Sequence, residues 1–97
     1  KIYEDDKVIV FNDINPQSPV HFLVIPKEHI SSIKEIDENN VSIISHIVLI
    51  IKKIAKEKGL DEKGYRIINN CGEYGGQTVE HLHFHVLGGR QLLWPPG

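Results

Sequence analysis

The segment His81-Leu82-His83-Phe84-His85-Val86-Leu87 alternates imidazoles with apolar side chains. Successive side chains of a strand point to opposite faces. Read as a strand, it projects three imidazoles from one face and anchors Leu82, Phe84 and Val86 in a core on the other. Three of the six histidines of the chain fall in the five residues from His81 to His85. Such a row has three possible uses. A polar ladder without chemistry is costly, because adjacent imidazoles repel when protonated and titrate as a coupled set. A zinc site is a stronger reading, since zinc accepts three histidines and a water. The third use is handling a phosphate, which needs anion donors close by. Gly75-Gly76-Gln77-Thr78 can bring backbone N–H groups and a hydroxyl to a phosphate. Alone, that loop is an ordinary flexible turn. Directly before a histidine strand it gains weight.

The elements that must position this row can be read along the chain. Val8-Ile9-Val10-Phe11 is β-branched and aromatic, closed by a turn cluster from Asn12 to Pro19. His21-Phe22-Leu23-Val24-Ile25 is a second strand, ended by Pro26, and the two form a hairpin with a longer loop. Ser31 to Asn40 is polar, a loop with a short helical turn. Val41 to Lys58 is the main helix, with Ile44, Ile47, Ile51 and Ile54 on one face. Asn39 or Asn40 is the expected N-cap, lysines load the last turns, and Gly59 is the C′ stop. Ile43, Val48, Leu49 and Ile50 widen the apolar zone past one stripe. A helix of that kind is covered twice, here by a sheet and by a second subunit, or is a single generously buried helix. Tyr65 to Asn69 is a third strand and Val79 to Leu87 a fourth. Two prolines keep regular structure out of the tail. The expected fold is α+β: a small antiparallel sheet of about five strands, one main helix and a short helix.

Bulk properties bound the function. Ninety-seven residues make one domain, 1–97. A chain of this size buries roughly two thirds of its unfolded surface, so a two-fold dimer is a ready route to extra core. The net charge is -2, which disfavours a polyanion such as nucleic acid but allows a local site for a small phosphate ester. The single cysteine, Cys71, cannot form a disulfide within the chain and fits a reducing compartment. No run is long enough to span a bilayer and no signal-peptide pattern opens the chain, so no membrane partner and a cytoplasmic location are expected. The chain opens in strand-like sequence at Lys1-Ile2-Tyr3, which suggests a trimmed N-terminus.

With these residues in view, the chain resembles the histidine triad superfamily, whose pattern is His-x-His-x-His followed by two apolar residues. His81 to Leu87 matches it completely. Phe11 to Gln17 resembles the family's ribose-binding turn, His21 to Ile30 its second block, and Gly75 to Val79 its phosphate loop. Gly88-Gly89-Arg90-Gln91 with Trp94-Pro95-Pro96-Gly97 resembles the ending of the Hint branch. The resemblance implies a purine nucleotide substrate, an adenosine or guanosine 5′-phosphoramidate, hydrolysed by a homodimer without a cofactor, in the cytoplasm and in a eukaryote also the nucleus. It implies that His83 attacks the α-phosphorus and becomes a nucleotidyl-histidine, which splits one displacement into two. His85 would donate to the phosphate or leaving group, and His81 and His21 would orient the row. Asn70, Gly76, Gln77 and Thr78 would line the phosphate, Asp13 would accept from the ribose, and Phe11 and Ile14 would touch the base. Trp94 would approach the partner's site. Some bacterial-type relatives bind zinc through a Cys-x-x-Cys pair and histidines matching His29 and His81. This chain has no such pair, so no metal site is expected. Cys71 stands where an acidic or polar residue is common in relatives, and reads as a small buried filler. His29 and His46 read as structural or exposed. The alternatives are a nucleotide-binding regulatory or scaffold protein with incidental catalysis, a zinc hydrolase using the three triad histidines, and a dinucleoside polyphosphate hydrolase, against which the Trp94-Pro95-Pro96-Gly97 ending argues.

Overall fold

The computed structural model describes all residues, Lys1–Gly97. Five strands, β1 (Tyr3–Glu4), β2 (Val8–Asn12), β3 (Val20–Pro26), β4 (Arg66–Ile68) and β5 (Phe84–Gly88), form one antiparallel sheet in the order β1-β2-β3-β5-β4. One helix, α1 (Ser42–Glu57), lies between β3 and β4 in sequence, and a 3-10 turn covers Ile33–Glu35. This is the expected α+β fold.

Alternation along the strands divides the sheet into two faces. Val8, Val10, Phe22, Val24 and Val86 point to one side, where they pack with Ile47, Ile50, Ile51, Ile54, Ala55 and Leu60 in a single buried cluster. The helix therefore covers that face. Residues one register out, including His21, Leu23 and His85, stand on the other face, which no element covers.

The strands read from sequence at Tyr65–Asn69 and Val79–Leu87 are shorter in the structure. β4 is confined to Arg66–Ile68, and β5 starts at Phe84 rather than Val79. Residues ahead of Phe84 have no strand partner; Leu82 instead donates its N–H to the Ile30 carbonyl at 2.6 Å. The helix start also differs. The cap residue is Val41, which has helical dihedrals and no side-chain cap. The Asn40 side chain is used upstream, accepting from the Asp37 N–H at 2.8 Å and donating to the Glu35 carbonyl at 3.1 Å. Asp37 caps the preceding turn by accepting from the Asn39 N–H at 2.8 Å. The chain thus enters α1 already coiled. The C-terminal stop is at the expected glycine: Gly59, at φ 74°, lets Leu60 N–H reach the Ala55 carbonyl at 2.9 Å while its own N–H reaches Lys56 at 3.0 Å. Ile44 is only partly covered, and Ile50 takes a core position in its place.

Candidate active site

His21 and His85 meet because of strand register. Leu23 of β3 pairs with His85 of β5, and His21 pairs with Leu87, which makes the two histidines diagonal neighbours on the open face. Their ring centroids lie 5.2 Å apart. His21 is buried, and each of its nitrogens has a partner. The Gln17 backbone N–H donates to His21 Nδ1 at 3.1 Å. An amide can only donate, so that nitrogen carries no proton and Nε2 does. His21 Nε2 lies 3.0 Å from His85 Nδ1 and 3.4 Å from Asp13 Oδ2. His85 Nδ1 is therefore the acceptor, and the proton of neutral His85 sits on Nε2.

The same logic applied to His83 gives the opposite result. His83 Nδ1 is 2.7 Å from the His81 carbonyl oxygen. A carbonyl can only accept, so Nδ1 holds the proton and Nε2 of the neutral ring is a bare lone pair. The His83 backbone is held by Asn69, whose Nδ2 donates to the His83 carbonyl at 3.0 Å. The His83 and His85 rings sit 5.0 Å apart, edge to face. A bare nitrogen thus stands beside a nitrogen that carries a proton.

The expected row of His81, His83 and His85 does not form as one line. The row is His83, His85 and His21. His81 precedes the strand, so the two-residue alternation does not bind it to the same face. Its Nε2 donates to the Pro26 carbonyl at 2.8 Å, and its Nδ1 faces His29 Nδ1 at 3.2 Å. His81 touches the row through its backbone carbonyl alone.

The loop before the row is held by Gln77. Its side-chain oxygen accepts from the Gly72 N–H at 2.9 Å, and its Nε2 donates to the carbonyls of Ser31 at 2.8 Å and Val79 at 3.0 Å. Its own N–H is used on Gly72. Gln77 shapes the loop and has no spare donor. Gly76 bonds Glu73, while the backbone and hydroxyl of exposed Thr78 have no partner within the chain, nor does the side chain of Asn70. Gly75 is required by packing: a Cβ there would lie 2.4 Å from the Cys71 carbonyl oxygen. Cys71 is half-buried against that glycine.

On the β2–β3 loop, Asp13 Oδ1 accepts from the Asn15 N–H at 2.8 Å, leaving Oδ2 toward His21. Phe11 is partly exposed on the open face, and Ile14 is 92% exposed at the loop tip. Trp94 is 80% exposed in the tail, under the Arg66 guanidinium at 5.9 Å. His46 is structural, its Nε2 2.7 Å from Asp5 Oδ2. Sequence reasoning missed Asn69 and the roles of the Gln17 amide and the Pro26 carbonyl, because only the fold brings those groups to a histidine.

Burial first, then neighbouring His83 and His21, push the His85 imidazole below its ordinary range, with Asp13 opposing them. His85 is held neutral. Asp13, His21 and His85 also place their ligand atoms within 4.8 Å of one another, close enough for a metal ion. The donor set does not fit one. With the Gln17 N–H on Nδ1, coordination through Nε2 would strip His21 of its one ring proton and leave an imidazolate. A surface cleft of about 600 Å³ lies elsewhere, lined by Lys63, Tyr65, Arg66 and Arg90 among others and by no histidine.

The HIT domain profile matches residues 1–92. An uncharacterised HIT-like protein of Synechococcus elongatus is 51% identical over 96 residues, covering 99% of this chain and 83% of the relative. A HIT family hydrolase of Legionella pneumophila superposes with a TM-score of 0.97 at 45% identity, over 99% of this chain and 86% of that one. A histidine triad nucleotide-binding protein of Candida albicans superposes with a TM-score of 0.77 at 34% identity, over 88% and 62%. The chain belongs to the HIT domain family.

Proposed function

We propose that this protein hydrolyses nucleoside 5′-phosphoramidates, as a homodimer of the Hint branch, through a covalent nucleotidyl-histidine on His83. The observation that carries the reading is the pairing of opposite tautomers: bare Nε2 on His83 beside protonated Nε2 on His85. In the first step His83 Nε2 bonds to the α-phosphorus and the P–N bond to the amine breaks. The amine leaves with the proton of His85 Nε2, and the anionic ring left behind is held by the His21 Nε2–H on its Nδ1 and by the positive charge that nucleotidylated His83 gains beside it. In the second step water attacks the phosphorus, returns a proton to His85 Nε2 and releases His83. The His81 carbonyl on Nδ1–H steadies the charge that His83 gains when it is nucleotidylated. Asn70, Gly76 and Thr78 take the phosphate in a loop that Gln77 shapes, Asp13 takes the ribose hydroxyls, and Phe11 and Ile14 the base. The hydrolase of Legionella and the nucleotide-binding protein of Candida support this reading.

The test is a single-turnover reaction with adenosine 5′-phosphoramidate. A quenched sample of the parent protein should carry an adduct of nucleotide mass on the peptide containing His83. His83→Ala should lose several powers of ten in rate and keep its nucleotide affinity. Turnover within about tenfold of the parent, with no adduct in either protein, would discard the covalent mechanism.

A further inference from the structure

The hydrogen bonds that fix the proton of His21 begin beyond Gln17. Gln17 sits on the exposed turn between β2 and β3. Its N–H reaches His21 Nδ1, and its side chain folds back to donate to the Asn15 carbonyl at 3.0 Å. Its own carbonyl accepts from Arg90 Nη2 at 2.9 Å, and no other donor reaches that oxygen. Arg90 lies two residues past the end of β5. Its Nη1 donates to the Gln91 carbonyl at 3.1 Å, so the planar fork spans two backbone oxygens and ties the β5 exit to the turn. Gly89, at φ 94°, presses on the same turn, where a Cβ would stand 2.9 Å from the Pro19 Cβ. The strand that carries His85 is thereby clamped to the turn that sets His21.

We infer that Arg90 is a positioning residue: by holding the Gln17 carbonyl it keeps the Gln17 amide on His21 Nδ1, and so keeps the proton of His21 on Nε2. The consequence runs through the row. Without that amide Nδ1 of neutral His21 is free to carry the proton, and only the Asp13 carboxylate, 3.4 Å from Nε2, still favours Nε2. When Nδ1 carries it, bare Nε2 faces His85 and accepts from it. His85 then holds its proton on Nδ1 and presents a bare Nε2 to the leaving group, with nothing to donate. The kinetic part of this inference rests on the proposed function; the tautomer part does not.

The experiment follows the ring nitrogens by NMR in ¹⁵N-histidine-labelled protein, above the imidazole titration range, in the parent, Arg90→Met and Arg90→Lys. Kinetics on adenosine 5′-phosphoramidate run beside it. Arg90 is exposed, and methionine keeps its stem, so the core is left intact. The parent should show His21 with unprotonated Nδ1 and protonated Nε2. Arg90→Met should move both nitrogens toward intermediate values and lower kcat about fivefold to tenfold, the scale of one hydrogen bond, with KM within about twofold. Arg90→Lys, with one donor for the Gln17 carbonyl, should recover part of both. Unshifted His21 nitrogens in Arg90→Met overturn the inference whatever the kinetics. Shifted nitrogens with an unchanged kcat, or a change in KM alone, overturn its catalytic half. If the parent itself fails to cleave the phosphoramidate, the proposed function falls, and the nitrogen signature still decides the role of Arg90.

Discussion

A neutral imidazole has one nitrogen to attack with and one to give a proton from, and the backbone decides which is which. The His81 carbonyl leaves His83 with a free Nε2, and the Gln17 amide, acting through His21, leaves His85 with a protonated one. His85 must stay neutral to keep its Nδ1 as an acceptor. Burial and its histidine neighbours hold it below the ordinary imidazole value of about 6.5. The acid limb of kcat should therefore lie below that value. Asp13 is the group pulling the other way, so Asp13→Asn should move the limb to still lower pH. Measuring kcat at saturating substrate separates this from any loss of ribose binding. A limb that moves up in the variant would mean that another group sets it. Activity should also be unchanged after exhaustive EDTA treatment, because the attacking atom is a nitrogen; loss restored by zinc would shift the attack to a metal-bound hydroxide. The histidine row and the family it marks were legible in the sequence, because residue types and spacing are local. The tautomers were not, because each depends on which backbone group a ring turns toward in the folded chain, whether near in sequence, as the His81 carbonyl is to His83 and the Gln17 amide to His21, or distant, as the Pro26 carbonyl is to His81.

At the scale of elements, the hairpin, the helix and the glycine stop were legible because hydrophobic period and turn chemistry are short-range signals. The start of β5 was not. His81-Leu82-His83 has the alternation of a strand, yet pairing begins at Phe84, where β3 and β4 supply partners. The junction of α1 with the sheet was equally invisible. There Asp5, in the β1–β2 turn, accepts from the N–H groups of Lys7 at 2.8 Å and Val8 at 2.9 Å, from Tyr3 Oη at 2.9 Å, and bonds His46 of α1. Desolvation pushes the Asp5 carboxyl up, but those backbone N–H groups, His46 and Tyr3 together outweigh it and hold the group well below the usual carboxylate range. The unfolded chain then binds a proton at Asp5 before the folded one does, so stability rises with pH across that interval. The contribution is complete above the usual carboxylate value of about 4 and is lost as pH falls below it. Asp5→Asn should lower stability at neutral pH and flatten its acid dependence. Urea midpoints of both proteins at about pH 7 and about pH 3 give the comparison. Equal acid losses in the two would show that Asp5 is not a source of the slope.

For the whole molecule, the covered and uncovered sides of α1 carry different consequences. Ile47, Ile51 and Ile54 face the sheet and are buried within one chain, so aspartate at any of them would unfold the protein and say nothing about assembly. Val41, Val48 and Leu49 recur at helical spacing on the outer side, and Leu49 is 64% exposed. That stripe is where a two-fold partner would add the second cover, and a two-fold interface repeats any change on both sides. Leu49→Asp should keep the melting temperature of the isolated fold while splitting the dimer, since it sets like charges against each other only in the assembly. The tail links assembly to chemistry. Within one chain Trp94 rests on little beyond Arg66, whose Nη2 also donates to the Leu93 carbonyl at 3.0 Å. If its indole shapes the leaving-group side of the partner's site, the dimer is needed for selectivity between amines. Trp94→Ala and Leu49→Asp should then converge. Both should bring the ratio of kcat/KM for two phosphoramidates differing only in the amine close to one value, although only Leu49→Asp changes the mass by light scattering. A parent protein that is monomeric at micromolar concentration would remove the interface, and selectivity that survives in Leu49→Asp but not in Trp94→Ala would place the indole at its own subunit's site.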